Sequence, residues 1–141
     1  QDFKLLPKKT IFENVAFALE VCGAPECRID KIVPQILEIV GLEKKTDRYP
    51  DEISGGEQQR AVIARSLVHA PKIVIADEPS GNLDAINTNE IVSIFKKINE
   101  LGTTVLLVTH NREMVNALRR RVVTIERGSV ANDQAEGKYV L

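Results

Sequence analysis

Two short strings in this chain carry residues able to do chemistry. Ile53-Ser54-Gly55-Gly56-Glu57-Gln58-Gln59-Arg60 sets a hydroxyl and two glycines at the mouth of a helical pattern. Ile73-Val74-Ile75-Ala76-Asp77-Glu78 ends four apolar residues with two carboxylates. Glycines let a ligand approach the backbone closely, and the free N–H groups and positive end of a helix suit a phosphate. Carboxylates closing a buried strand are costly to desolvate unless a cation or donors meet them. Neighbouring strand residues face opposite sides, so one carboxylate can bind a water of Mg²⁺ while the other faces an attacking water. Positioning and charge stabilisation of this kind are what phosphoryl transfer asks of a protein. A bare Asp-Glu is more often the acidic tip of a surface strand, and Ser-Gly-Gly alone is a turn. Gln58-Gln59-Arg60 after one string, and Pro79-Ser80-Gly81-Asn82-Leu83-Asp84 after the other, reverse that balance.

His110 closes a second apolar run, Val105-Leu106-Leu107-Val108-Thr109. A parallel sheet binds ligands at the carboxyl ends of its strands, so this imidazole is expected beside Asp77 and Glu78. His69, before Ala70-Pro71, has no such setting and reads as a helix-end residue. Arg119-Arg120-Arg121 reads as basic residues complementing a helix dipole. Cys22 and Cys27 lack a second pair to complete a zinc site and are expected to be two reduced thiols.

The elements that must position these residues follow from period and caps. Thr10 and Glu13 form a capping box, with Ile11, Val15, Ala18, Leu19 and Cys22 at helical spacing up to Gly23. Ile29, Ile32, Val33, Ile36, Leu37 and Val40 mark a second helix closed by Gly41. Its Pro34 is easiest to place in a first turn begun by Asp30. Ser54 and Glu57 cap a helix to about His69. Lys72–Ala76 and Thr103–Thr109 read as buried strands, apolar on both faces as parallel strands between layers are. A helix over Ala85–Leu101 joins them into a βαβ unit. Asn111–Arg119 is a short helix, and Arg121–Glu126 with Ser129–Ala131 form a hairpin around Arg127-Gly128. The fold class is α/β, with a parallel sheet flanked by helices and a helical lobe before it. Residues 1–71 form the lobe side and residues 72–141 the later part of the α/β core.

With 43% apolar and 28% charged residues the chain is an ordinary globular one. Its 19 Lys and Arg against 20 Asp and Glu give a net charge of −1, which supports no nucleic-acid partner. No apolar run approaches the roughly 18 residues of a membrane span. No G-x-x-x-x-G-K-S/T phosphate loop occurs, and the first residue is glutamine. The expectation is therefore the later part of a nucleotide-hydrolysing domain, beginning just after its phosphate loop.

Together these motifs resemble the ABC-type ATPases, a branch of the P-loop NTPases. Ile53–Arg60 looks like their signature motif, Ile73–Glu78 their Walker B strand, Gly81-Asn82-Leu83-Asp84 their D-loop, His110 their switch histidine and Gln1-Asp2-Phe3 their Q-loop. The resemblance implies ATP and Mg²⁺ as cofactors. It implies that Gln1 contacts Mg²⁺ and the attacking water, that Asp77 supports Mg²⁺, that Glu78 is the general base and that His110 contacts the γ-phosphate. Ser54, Gly55 and Gly56, with Glu57 and Gln58 beside them, would cover ATP held by the other subunit of a head-to-tail homodimer, and Asp84 would lie in the loop crossing that interface. Ile53 and Ser80 stand where leucine and threonine are commoner. The flanks Gln1–Pro7, Glu13–Val21, Thr109–Glu113 and Ile125–Gly128 are similar to the cell-division branch, the FtsE-like ATP-binding subunits. That branch implies an integral membrane partner, FtsX-like, and a place on the cytoplasmic face of the bacterial plasma membrane. Lipoprotein-release and macrolide-export ATPases share the central motifs and remain an alternative, as does a non-catalytic binding module that only lends its Ser54 helix to a complete subunit.

Overall fold

The computed structural model describes residues 4–81 and 83–137. Its order is helix α1 (Ile11–Val21), helix α2 (Glu26–Ile39), a 3₁₀ turn (Pro50–Glu52), helix α3 (Gly55–Leu67), strand β1 (Ile73–Asp77), helix α4 (Ala85–Glu100), strand β2 (Thr104–Val108), helix α5 (Arg112–Leu118) and strands β3 (Val122–Glu126) and β4 (Ser129–Gln134).

The caps decide where the first and third helices begin. Thr10 Oγ1 accepts the Glu13 N–H while the Glu13 carboxylate accepts the Thr10 N–H, and Ser54 and Glu57 repeat the pattern on α3. Each device satisfies two of the N–H groups that a helix start leaves unpaired. α1 packs on both α2 and α3 through Ile11, Val15, Leu19, Val33, Leu37, Ala61 and Ala64, all buried. Buried Asn14 ties the preceding segment to α1, accepting the Leu6 N–H and donating to the carbonyls of Leu6, Lys9 and Thr10.

α2 corrects the sequence reading. It starts at Glu26 behind Pro25, not at Asp30, so Pro34 sits inside the helix. An interior proline costs about 3 kcal/mol through its missing N–H and ring clash. Both Pro34 and Asp30 are exposed, so the orphaned Asp30 carbonyl can turn to water. Buried Ile29, Val33 and Leu37 contribute about 1.5–3 kcal/mol each and hold the helix together across the defect.

β1 and β2 pair in parallel, with Ile75 opposite Leu106 and Asp77 opposite Val108, and α4 supplies the crossover between them. Val74 and α4 residues Ile91, Ile94, Phe95 and Ile98 are buried together on one side. The other side departs from the expectation of strands buried on both faces: Ile73, Ile75, Leu106 and Val108 are each more than half exposed. β3 and β4 form the antiparallel hairpin, with a register shift between Thr124 and Ile125. Arg127 and Gly128 at its turn both have positive φ, as a two-residue type I′ turn requires. Of the three arginines, Arg121 does not serve the α5 dipole; it makes a two-pronged contact with Asp133 across the hairpin, and the Asp133 hydrogen bonds raise its guanidinium still further.

Candidate functional site

The carboxyl end of β1 is where the candidate residues meet. Asp77 is the last strand residue, and Glu78 then leaves strand geometry with a φ of 46°. The left-handed region costs a residue with a Cβ about 1–2 kcal/mol, and it gives Glu78 an orientation that simple strand alternation does not. Its backbone stays tethered, since the Glu78 N–H donates to the Val108 carbonyl at 2.8 Å.

The side chain of Glu78 turns onto the segment following β2. Oε1 accepts the His110 backbone N–H at 2.9 Å and lies 2.7 Å from His110 Nδ1. Oε2 accepts the Thr109 hydroxyl at 3.1 Å. Burial pushes the Glu78 carboxyl up, but the His110 ring, the His110 N–H and the Thr109 hydroxyl together outweigh it, and the group sits below the usual carboxylate range. An ionised carboxylate only accepts, so Nδ1 carries the proton and Nε2 faces outward on an imidazole that is 84% exposed.

Asp77 is exposed, and its carboxylate takes no hydrogen bond among the described residues. No group of three or more His, Cys, Asp or Glu side chains able to hold a metal occurs among them. One free carboxylate fits Mg²⁺ as the ion is usually held in nucleotide sites, by one or two carboxylates, waters and phosphate oxygens. It does not fit an all-protein cage.

The second group of candidates lies at the start of α3. Ser54 and Gly55 are exposed, and no acceptor among the described residues takes the Gly55 and Gly56 N–H groups, so the helix mouth presents donors fit for phosphate. Glu57 and Gln58 have their side chains engaged within the chain. Glu57 closes the capping box and pairs with Lys45 at 3.5 Å, while Gln58 Nε2 donates to the carbonyls of Pro50 and Ile53. The hydrogen bond from the Ser54 N–H leads the causes that hold the Glu57 carboxyl below its usual value.

Asp84 caps α4, accepting the Asn87 N–H at 2.8 Å and the Asn87 side-chain amide at 2.9 Å. Asn87 in turn lies against Gly56, where a Cβ would stand 1.9 Å from its Oδ1. The structure therefore brings Asp84 to the helix mouth of Gly56, and Arg60 of α3 pairs with Glu90 of α4 farther along the same contact. Gln1, Asp2, Phe3 and Asn82 lie outside the described residues.

Sequence reasoning did not single out Thr109 or Asn111. The Thr109 hydroxyl accepts the Asn111 N–H at 3.0 Å, and Asn111 caps α5 and reaches Ser80 Oγ at 3.4 Å. The available signal was the run Thr109-His110-Asn111, two capping residues around the histidine.

The ABC transporter family profile matches residues 1–81, and the chain belongs to that family. It is 52% identical over 139 residues to the cell division ATP-binding protein FtsE of Streptococcus pneumoniae strain D39, an alignment covering 99% of this chain and 60% of that protein. FtsE of Bacillus subtilis is also 52% identical, with 99% and 61% covered. The methionine import ATP-binding protein MetN 1 of Burkholderia lata is 42% identical over 134 residues, 94% of this chain and 39% of that one. Among solved structures, a dimeric ATP-binding cassette in a post-hydrolysis state with ADP and Pi bound superposes with a TM-score of 0.80 at 31% identity, covering 99% of this chain and 62% of that one. The chain thus spans about three fifths of the length of the FtsE proteins it matches.

Proposed function

We propose that the protein to which this chain belongs is an ATP-hydrolysing subunit that works as a homodimer and passes its motion to an integral membrane partner in bacterial cell division. The observation that carries this reading is Glu78, held at the tip of β1 by His110 and Thr109 beside an unengaged Asp77. Similarity to FtsE, a cell division ATP-binding protein, supports the cell-division setting; an FtsX-like partner and a position on the cytoplasmic face of the plasma membrane are what the resemblance to that branch implies. No helix among the described residues is long and apolar enough to cross a membrane.

In this reading Glu78 takes a proton from the attacking water, and the outward Nε2 of His110 contacts the γ-phosphate. Asp77 and Gln1 hold Mg²⁺. When bound, the ion neutralises charge on the phosphate oxygens. Ser54, Gly55 and Gly56, buttressed by the side chains of Glu57 and Gln58, present the α3 N–H groups to ATP on the twin subunit, and Asp84 keeps the crossing loop against them. The division of labour between residues 1–71, as lobe, and 72–141, as catalytic core, belongs to the same proposal.

The test is Glu78→Gln in the complete protein. Loss of one well-placed transition-state group typically costs about 10²–10³ in rate, so hydrolysis is expected to fall at least that far while ATP binding is retained. Near-normal turnover would remove Glu78 from the role of base. The 42% identity to a methionine importer subunit supports a second reading, a transporter ATPase. Co-purification from membranes decides between them: a cell-division partner is expected, and an importer permease would overturn the first reading.

A further inference from the structure

Three donors converge on Glu78, and their distribution is uneven. Oε1 faces both the His110 N–H and Nδ1, whereas among the described residues Oε2 receives only the Thr109 hydroxyl. A carboxylate offers about four acceptor positions, two on each oxygen. The one that no described residue fills is therefore on Oε2, beside Thr109.

The direction of the Thr109 proton is also determined. Thr109 Oγ1 accepts the Asn111 N–H at 3.0 Å, and an ionised Oε2 has no proton to give. The hydroxyl proton therefore lies on the line to Oε2, 3.1 Å away. Asn111 is fixed by its role as cap of α5, where its Oδ1 accepts the Met114 N–H at 3.0 Å. Thr109 follows β2 directly, so the hydroxyl is mounted on the sheet at one side and the helix start at the other. We propose that Thr109 is a positioning residue that aims Glu78 Oε2, the oxygen with a vacant acceptor position, at the attacking water.

Such aiming matters because a productive site tolerates misplacement of only about 0.5 Å. Without the hydroxyl the carboxylate still hangs from His110 by Oε1, but it can swing about that attachment. Turnover would fall while nucleotide affinity, which depends on other residues, would stay.

This inference rests on the reading of Glu78 as general base, and the experiment separates the two. In the complete protein, kcat, KM and affinity for a non-hydrolysable ATP analogue are measured for Thr109→Val, Thr109→Ser, Thr109→Cys and Glu78→Gln. A hydrogen bond to a charged group corresponds to roughly ten- to hundredfold. Thr109→Val is expected to lose that much in kcat with analogue affinity within about twofold of the parent, and Thr109→Ser to recover most of the loss. Thr109→Val leaves the Asn111 N–H unpaired and can compromise folding; Thr109→Cys keeps a side chain of similar bulk with a weak donor and is expected to fall between the two. Full kcat in Thr109→Val or Thr109→Cys, or a loss that serine does not restore, would overturn the role of Thr109 alone. Normal hydrolysis by Glu78→Gln would instead overturn the base assignment beneath it.

Discussion

At the scale of single residues, Glu78 and Gly56 are constrained in different ways. Glu78 is held in the left-handed region, where strain is tolerated only because the surroundings over-determine it; here a backbone bond to Val108 and three donors to its carboxylate, one from the backbone and two from side chains, do so. Gly56 is constrained by lack of room rather than by dihedral. A methyl group there would stand 1.9 Å from Asn87 Oδ1 and 2.4 Å from its Cγ, and Asn87 cannot simply swing aside while both its amides serve Asp84. Gly56→Ala is therefore expected to cost about 1–3 kcal/mol, as overpacking does, and to displace Asp84. Combining it with Asn87→Gly should recover part of that loss in a double-mutant cycle followed by denaturant melting. Strict additivity would show that the two residues do not meet.

At the scale of elements, the caps and strand ends do most of the positioning. The Ser54–Glu57 box starts α3 and leaves the N–H groups of exposed Gly55 and buried Gly56 without an acceptor among the described residues. Glu57 has a folded-state value below its ordinary one, led by the hydrogen bond from the Ser54 N–H. A carboxylate lowered in this way contributes stability in full above its unfolded value of about 4.3 and loses it as pH falls through the lower folded value. Acid titration followed by helix signal is expected to show the parent losing stability across that window, with Glu57→Gln less stable at neutral pH and flatter below. Identical acid profiles for the two proteins would contradict the coupling. Helix existence and type, and two of the caps, were legible in the sequence here, since Thr10 and Ser54 each announce a start by side-chain chemistry, whereas the capping role of Asp84 came from the structure. The start of α2 was not legible, because a proline argues locally against an interior position while the burial of Ile29, Val33 and Leu37 acts only once α1 and α3 are packed beside it.

At the scale of the whole molecule, the exposed sheet face is the dominant fact. Ile75 is 69% exposed and its neighbour across the ladder, Leu106, 53%, with Ile73 and Val108 continuing the same apolar surface. Parallel sheets are ordinarily covered on both faces, and contiguous apolar patches mark surfaces that associate. The 141 residues expressed alone are expected to form concentration-dependent oligomers or precipitate, and the complete protein to stay dispersed under the same conditions. Light scattering across a dilution series checks this; a monodisperse, cooperatively melting monomer of the 141 residues would refute it.

Residue types and spacings alone determined that a helix mouth with two glycines, an acidic strand tip and a strand-end histidine occur in this chain, because each is a local pattern with a local physical cause. They also determined the βαβ order, since strand length, helix length and caps are written in consecutive residues. Only the tertiary structure decided which oxygen of Glu78 each donor takes, that Thr109 and Asn111 stand behind it, and that Asp84 reaches Gly56 through Asn87. Those contacts join residues about thirty positions apart in the sequence, and such pairings depend on the register of β1 against β2 and on how α3 meets α4, neither of which any single stretch of sequence encodes.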